Sequence, residues 1–290
     1  MSAGRITQRT VADTALYGLQ GNLTRLQRLQ EQLSSGRKVG IPSDDPSATV
    51  SSMTLRSRRA ADEQYLRNID MASGRLTVTD NALTQLSDRL RAVRELVIQA
   101  RNGGLGPESL SGIAANVDAV RAEIIDLYNT SYLDRPIFGG TVSGLSAIDA
   151  NGTYVGNSNP VEVRINSDAL LRIDVSGVSV GADTVPAMVS QVSANIRAGQ
   201  VGDSDLSALD TALSQVATAL GDVGARSERM NQTRTMVDSH RLDLTSRISV
   251  NEDIDLPEAI MNLEAQRTGY EAALQAAAKI QQLSLVDFLK

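Results

Sequence analysis

The chain has 290 residues, only 3% of them aromatic, with no Trp and with Phe at positions 138 and 288 alone. A core of large aromatic side chains is therefore excluded, and the abundant Ala, Leu, Val and Gln suit helix-on-helix packing. The absence of Cys excludes disulfides and thiolate sites, and a net charge of −6 is too acidic overall for a nucleic-acid binder.

Leu16, Leu19, Leu23, Leu26 and Leu33 recur at steps of three and four, which predicts one apolar face of an N-terminal helix. The stripe stops at residues 32–46, QLSSGRKVGIPSDDP. Ser34, Ser35 and Gly36 carry helix-ending chemistry, and Gly40 and Pro42 forbid its resumption. Asp45 before Pro46 is an N-cap followed by proline at the first helical position. A second helix should start there. Its strongest pattern is Tyr65, Ile69, Ala72, Leu76, Thr79, Leu83, Leu86, Leu90, Val93, Val97 and Ala100, in which only Thr79 breaks the apolar series. Heptads sustained over that length predict coiled-coil-like packing.

Asn102, Gly103, Gly104 and Pro107 form a turn cluster; Gly103, Gly104 and Gly106 do not read as a phosphate loop, because no strand precedes them and no Lys follows in place. A third helix is expected over residues 108–128, with Leu110, Ile113, Val117, Val120, Ile124 and Leu127 on one side. At DRPIFGGT, residues 134–141, the pattern changes to period two. Val161, Val163 and Ile165 alternate with Glu162 and Arg164, and Leu171, Ile173 and Val175 with Arg172 and Asp174. This predicts a small β insertion of about four to six short strands.

Beyond Pro186 the helical period returns in Leu206, Leu209, Leu213, Val216, Leu220, Val223, Met230, Val237, Leu244 and Ile248, with Ser227, Arg234 and Arg241 as intruders. Gly221 and Gly224 each cost about 1 kcal/mol relative to Ala and allow a kink. The seam resumes past them, so this segment is expected to be the antiparallel partner of the second helix. Asp255, Pro257 and Glu258 signal a last helix carrying Ile260, Leu263, Tyr270, Leu274, Ala277, Ile280, Leu283 and Val286, up to Phe288.

The expected fold is mainly α with a small inserted β domain, a long antiparallel coiled-coil-like helical rod built from the N- and C-terminal segments. Residues 1–41 and 251–290 would be terminal helices of an assembly domain, 42–136 and 186–250 the rod, and 137–185 the β-rich insertion. The N-terminal segment is basic, through Arg5, Arg9, Arg25, Arg28, Arg37 and Lys38, and the C-terminal segment acidic, so the two ends are electrostatically complementary. Neither terminal stripe buries enough apolar surface to offset the entropy of ordering its helix. Both ends are expected to fold on assembly, with Leu16, Leu19, Leu23, Leu26, Leu33, Ile260, Leu263, Tyr270, Leu274, Ile280, Leu283 and Phe288 as the assembly interface.

Nothing in the sequence supports catalysis or a cofactor. His240 is the single histidine, with no second ligand beside it, and the acids Glu252, Asp253 and Asp255 are accounted for by the helix start that follows them. The sequons at Asn22 and Asn151 are uninformative short matches. No run of about eighteen apolar residues exists and the opening residues carry no apolar signal core, so neither membrane insertion nor a cleaved leader is expected.

QLSSGRKVGIPSDDP, RAVRELVIQARNG at residues 91–103 and GDVGARSERM at 221–230 together resemble the flagellin family. IFGGT at 137–141, YVGN at 154–157 and SLVDFL at 284–289 resemble its hook-associated members more than flagellin itself. The resemblance implies a structural protein of the extracellular bacterial flagellum, secreted through the type III export apparatus with an export chaperone. It implies assembly with copies of itself into a junction ring between the hook-side junction protein (hook-associated protein 1) and flagellin. A short filament-forming flagellin is the alternative within the family, and a secreted coiled-coil adhesin or effector the alternative outside it.

Overall fold

The computed structural model describes residues 3–102, 104–142, 144, 146–149 and 152–288; within these, the side chains of 3–9, 11–12 and 280–288 are not described. The elements run α1 (Ala3–Ser35), α2 (Pro46–Arg101), α3 (Pro107–Tyr128), β1 (Ser131–Tyr132), β2 (Arg135–Pro136), β3 (Glu162–Arg164), β4 (Leu170–Arg172), a 3-10 turn (Val178–Val180), α4 (Val185–Arg197), α5 (Asp203–Glu252) and α6 (Leu256–Phe288). The fold is mainly α with a small strand region, as the periodicities predict. The chain forms two compact units: residues 61–241, and the segments before 61 and after 241.

In the 61–241 unit the heptad series of α2 is buried from Ile69 to Val97 against Leu209, Ala212, Val216, Ala219, Val223 and Met230 of α5. Three ion pairs fix the register: Arg234 to Asp70 at 2.9 Å, Arg94 to Asp210 at 2.8 Å, and Arg101 to Asp203 at 2.8 Å. Each step forward on α2 is matched by an equal step back on α5, so the two helices are antiparallel. Thr79, fully buried, donates its hydroxyl to the Arg75 carbonyl at 2.9 Å, inside its own helix. Gly221 and Gly224 produce no break, because both lie on the exposed face of a continuous α5.

A helix the heptad reading did not separate, α4, packs on α3. Val185, Val189, Val192 and Ile196, spaced four, three and four, are buried with Ile113, Ala114, Val117 and Ile124. Ser193 adds a hydrogen bond to the Ala114 carbonyl at 3.2 Å, and Arg197 pairs with Asp118. Gly199, at φ 66°, separates α4 from α5.

The described strands form two antiparallel hairpins. β3 and β4 are the alternating segments of the sequence, paired with Val163 opposite Leu171, and their periodicity turns Ile165, Leu171, Ile173 and Val175 inward. The β1–β2 hairpin precedes the predicted insertion. Its tip places Leu133 and Asp134 at φ 51° and 59°, left-handed values that Asn-Gly would adopt more cheaply. Gly74 gives this hairpin its seat on α2: a Cβ there would lie 2.5 Å from the Tyr132 hydroxyl.

The core encloses a polar centre. Asp174 is fully buried and accepts a fork of hydrogen bonds from Arg172 at 2.9 and 3.0 Å and one from the Val161 amide at 2.8 Å. Tyr128 donates to the Val180 carbonyl at 2.6 Å and meets Phe138 edge-on, with ring centroids 5.9 Å apart. Burial pushes the Tyr128 phenol up and the Arg75 guanidinium down.

Candidate functional site

The turn that ends the leucine stripe organises the other unit. Gly36, at φ 69°, ends α1, and its carbonyl accepts the Ile254 amide at 3.1 Å. The Lys38 amide donates to the Glu252 carbonyl at 2.6 Å, and Gln32 donates to the Lys38 carbonyl at 2.7 Å. Asp44 accepts the amides of Gly40 and Ile41 at 3.3 and 3.2 Å and pairs with Arg28. Asp45 caps α2 through the Ala48 amide at 2.9 Å, with Pro46 next, as predicted. The α5–α6 corner completes the clasp: Glu252 pairs with Arg56, and Asp255 caps α6 by accepting the Glu258 amide at 3.2 Å. Glu252 and Asp255 are thus engaged in structural contacts, and Asp253 accepts the Ser249 hydroxyl. No cluster of three metal-ligating side chains occurs among the described residues.

From this corner α6 runs back along α1, antiparallel to it. Among the described side chains, the less exposed positions of α1 include Ala15, Leu19, Asn22, Leu26, Leu29 and Leu33, flanked by Gly21 and Gln32; those of α6 include Ala259, Leu263, Gln266, Tyr270, Ala273 and Ala277. Both sets step by four and three, the spacing of a two-helix seam. Among the predicted interface residues, Leu19, Leu26, Leu33, Leu263 and Tyr270 lie in this seam and are half-buried. Leu16, Leu23, Ile260 and Leu274 are exposed. Ile280, Leu283 and Phe288 have side chains outside the described residues.

Sequence reading missed Leu29 and the polar layer of the seam, where Gln266 donates to the Asn22 side-chain oxygen at 3.2 Å. Extending the four-three alternation from Leu19 through Asn22 would have found both. The His240 ring nitrogen Nδ1 and the Asp62 carboxylate share one hydrogen bond at 2.7 Å, between α5 and α2, so the histidine has a structural partner. No helix among the described residues is long and apolar enough to cross a membrane.

Chemically, this arrangement offers paired amphipathic helices whose outer apolar side chains remain in water, together with a hydrogen-bonded turn that fixes where they start. Comparison with known proteins matches the helical regions at both ends of the chain. Residues 6–143 match the bacterial flagellin N-terminal helical region, and residues 206–289 the bacterial flagellin C-terminal helical region. Flagellar hook-associated protein 3 of Escherichia coli strain K12 is 22% identical over 99% of this chain and 100% of its own. Flagellin of Bacillus subtilis strain 168 is 23% identical over 99% of this chain and 100% of its own. Among solved structures, the flagellar junction protein of Legionella pneumophila shares the fold at a TM-score of 0.58 and 14% identity, covering 70% of this chain and 100% of that one. With both helical regions matched across most of its length, the chain belongs to the flagellin family.

Proposed function

We propose that this protein is the hook-filament junction component of a bacterial flagellum, a mechanical adaptor on which flagellin polymerises. The observation that carries the reading is the end-to-end match to a hook-associated protein by a chain whose terminal helices pair yet keep Leu16, Leu23, Ile260 and Leu274 exposed. Exposed apolar rows on paired helices are what further copies would cover. Its partners on this reading are copies of itself in a ring, the hook-side junction protein, flagellin, and the chaperone and type III apparatus that export it. Assembly through unlike patches of identical subunits generates rings or helical arrays. The terminal helices complete their folding in that lattice, residues 1–41 and 251–290 acting as the assembly domain. No catalytic step is assigned to any residue.

Deleting the gene tests this: filament subunits shed into the medium from cells with intact hooks support the junction role, and retained filaments reject it. The match to flagellin over an equal span favours a second reading, a short filament-forming flagellin. The purified chain would then extend filament seeds into long filaments, whereas a junction component stops at a ring or stays monomeric.

A further inference from the structure

Beside the turn lies a shallow cleft of about 170 Å³ whose wall is formed by Arg37, Ile41, Pro42, Met53 and Arg56. Ser52 also faces it. The Ser52 residue is 4% exposed, and its hydroxyl has no hydrogen-bond partner, although a buried hydroxyl ordinarily has one. Around it the rim is apolar and wet: Met53 is 66% exposed, and Ile41 is exposed as well. Arg56 is engaged by Glu252, whereas Arg37 is exposed and makes no ion pair among the described residues. The cleft therefore presents one uncommitted cation and an apolar rim, with the Ser52 hydroxyl buried beneath them.

The same unit carries a surface of matching chemistry. Ile260 and Glu264 stand four apart on α6, and Met261 and Glu264 three apart, so the three share one outward face. Ile260 and Met261 are exposed, Met261 by 66%, and Glu264 is exposed with no ion pair among the described residues. Here an uncommitted anion sits among apolar side chains. It is the complement of the cleft in charge and its counterpart in exposed apolar surface.

The geometry points to a head-to-tail contact between copies of this chain, in which the Arg37–Ile41–Met53 cleft of one copy receives the Ile260–Met261–Glu264 face of α6 of the next. Arg37 meets Glu264, and the apolar side chains leave water together. Because the two patches are different, each copy keeps one of each free and the contact propagates, closing as a ring or continuing as a helix. This inference rests on the junction reading for its setting, but it names a contact that the reading does not require.

The chain has no Cys, so introduced cysteines report on this contact alone. In a deletion strain complemented with the full-length M53C/M261C variant, filament retention shows that the subunits have assembled, and a short bifunctional thiol reagent then reads the contact. A ladder of covalent oligomers, absent from either single-cysteine variant, is expected. Monomer from filament-bearing cells overturns the contact while leaving the junction reading intact, and a covalent dimer with no higher species overturns its head-to-tail form. Should the double-cysteine variant fail to assemble, charge exchange decides: Arg37→Glu and Glu264→Arg should each weaken assembly about tenfold, and their combination in one chain should restore it. No restoration overturns the contact. Filaments retained by the uncomplemented deletion strain would instead reject the junction reading itself.

Discussion

Gln266 on α6 donates its side-chain amide to the Asn22 oxygen on α1 at 3.2 Å, a polar pair in the middle of an otherwise apolar two-helix seam. A polar layer at one seam position specifies register at some cost in stability. Replacing both residues by Leu should strengthen the α1–α6 pairing by about 1 kcal/mol while loosening its register. Circular dichroism would show greater helicity, and cysteine cross-linking along the seam would show more than one alignment. Replacing Asn22 alone leaves the Gln266 amide without its partner and should weaken the pairing.

The seam also separates two leucines that look alike in sequence. Leu26 is half-buried between α1 and α6, and Leu274 is exposed. Leu26→Asp should cost the isolated chain about 1–3 kcal/mol through burial of a carboxylate, whereas Leu274→Asp should stay within about 0.5 kcal/mol. Denaturant titration of the monomer checks the difference. Leu274→Asp should nevertheless abolish incorporation into flagella, because it places a charge on the face of α6 that neighbouring subunits cover.

Leu133, 70% exposed, and Asp134 form a left-handed hairpin tip without glycine or asparagine. The change Leu133→Asn with Asp134→Gly supplies the residues this turn prefers and should stabilise the 61–241 unit by about 1–2 kcal/mol. Thermal unfolding should shift upward by a few degrees, with no loss of helicity.

Tyr128 is buried and donates to the Val180 carbonyl at 2.6 Å. Tyr128→Phe keeps the edge-on contact with Phe138 but removes that donor, and should cost about 1–3 kcal/mol. Recovery of stability to the parent value in Tyr128→Phe would show that the carbonyl finds another partner.

Burial would raise the Asp118 carboxyl, but the Ser193 hydroxyl and the Arg197 guanidinium outweigh it and hold the group below the usual carboxylate range. A depressed folded value means stability that is present above the unfolded value, near 4, and lost as pH falls through the folded one. Both side chains are more than one-third exposed, so screening limits the gain to no more than about 1 kcal/mol. Arg197→Ala should lower the melting temperature slightly at neutral pH, and the difference from the parent should vanish in acid.

Legibility followed regularity. The α2 and α5 seam was readable because its heptads are long, and β3–β4 because Val161 to Val175 alternate cleanly. The α4 helix escaped because its stripe from Val185 to Ile196 is only a few turns long and lies close to the Leu206 series. The β1–β2 hairpin escaped because Leu133–Asp134 carries no turn signature. In α1, reading leucines alone selected Leu16 and Leu23, which face water, and passed over Asn22, which does not. A seam that includes a polar layer is invisible to a hydrophobic count. The Ser52 cleft was invisible for a different reason, since its members come from the turn, α2 and α5 and meet only in three dimensions.

Because Thr79 spends its hydroxyl on its own helix, the dry interface of α2 with α5 asks no polar group of its partner. Shape alone would tolerate a slip by one heptad. The arginine–aspartate pairs along the flanks then act as a vernier, three marks that coincide at a single setting, and they lie in solvent where dissolved ions reach them. Alignment of these two long helices should therefore be acquired last during folding and be the first property to blur in concentrated salt, with the apolar contacts still closed.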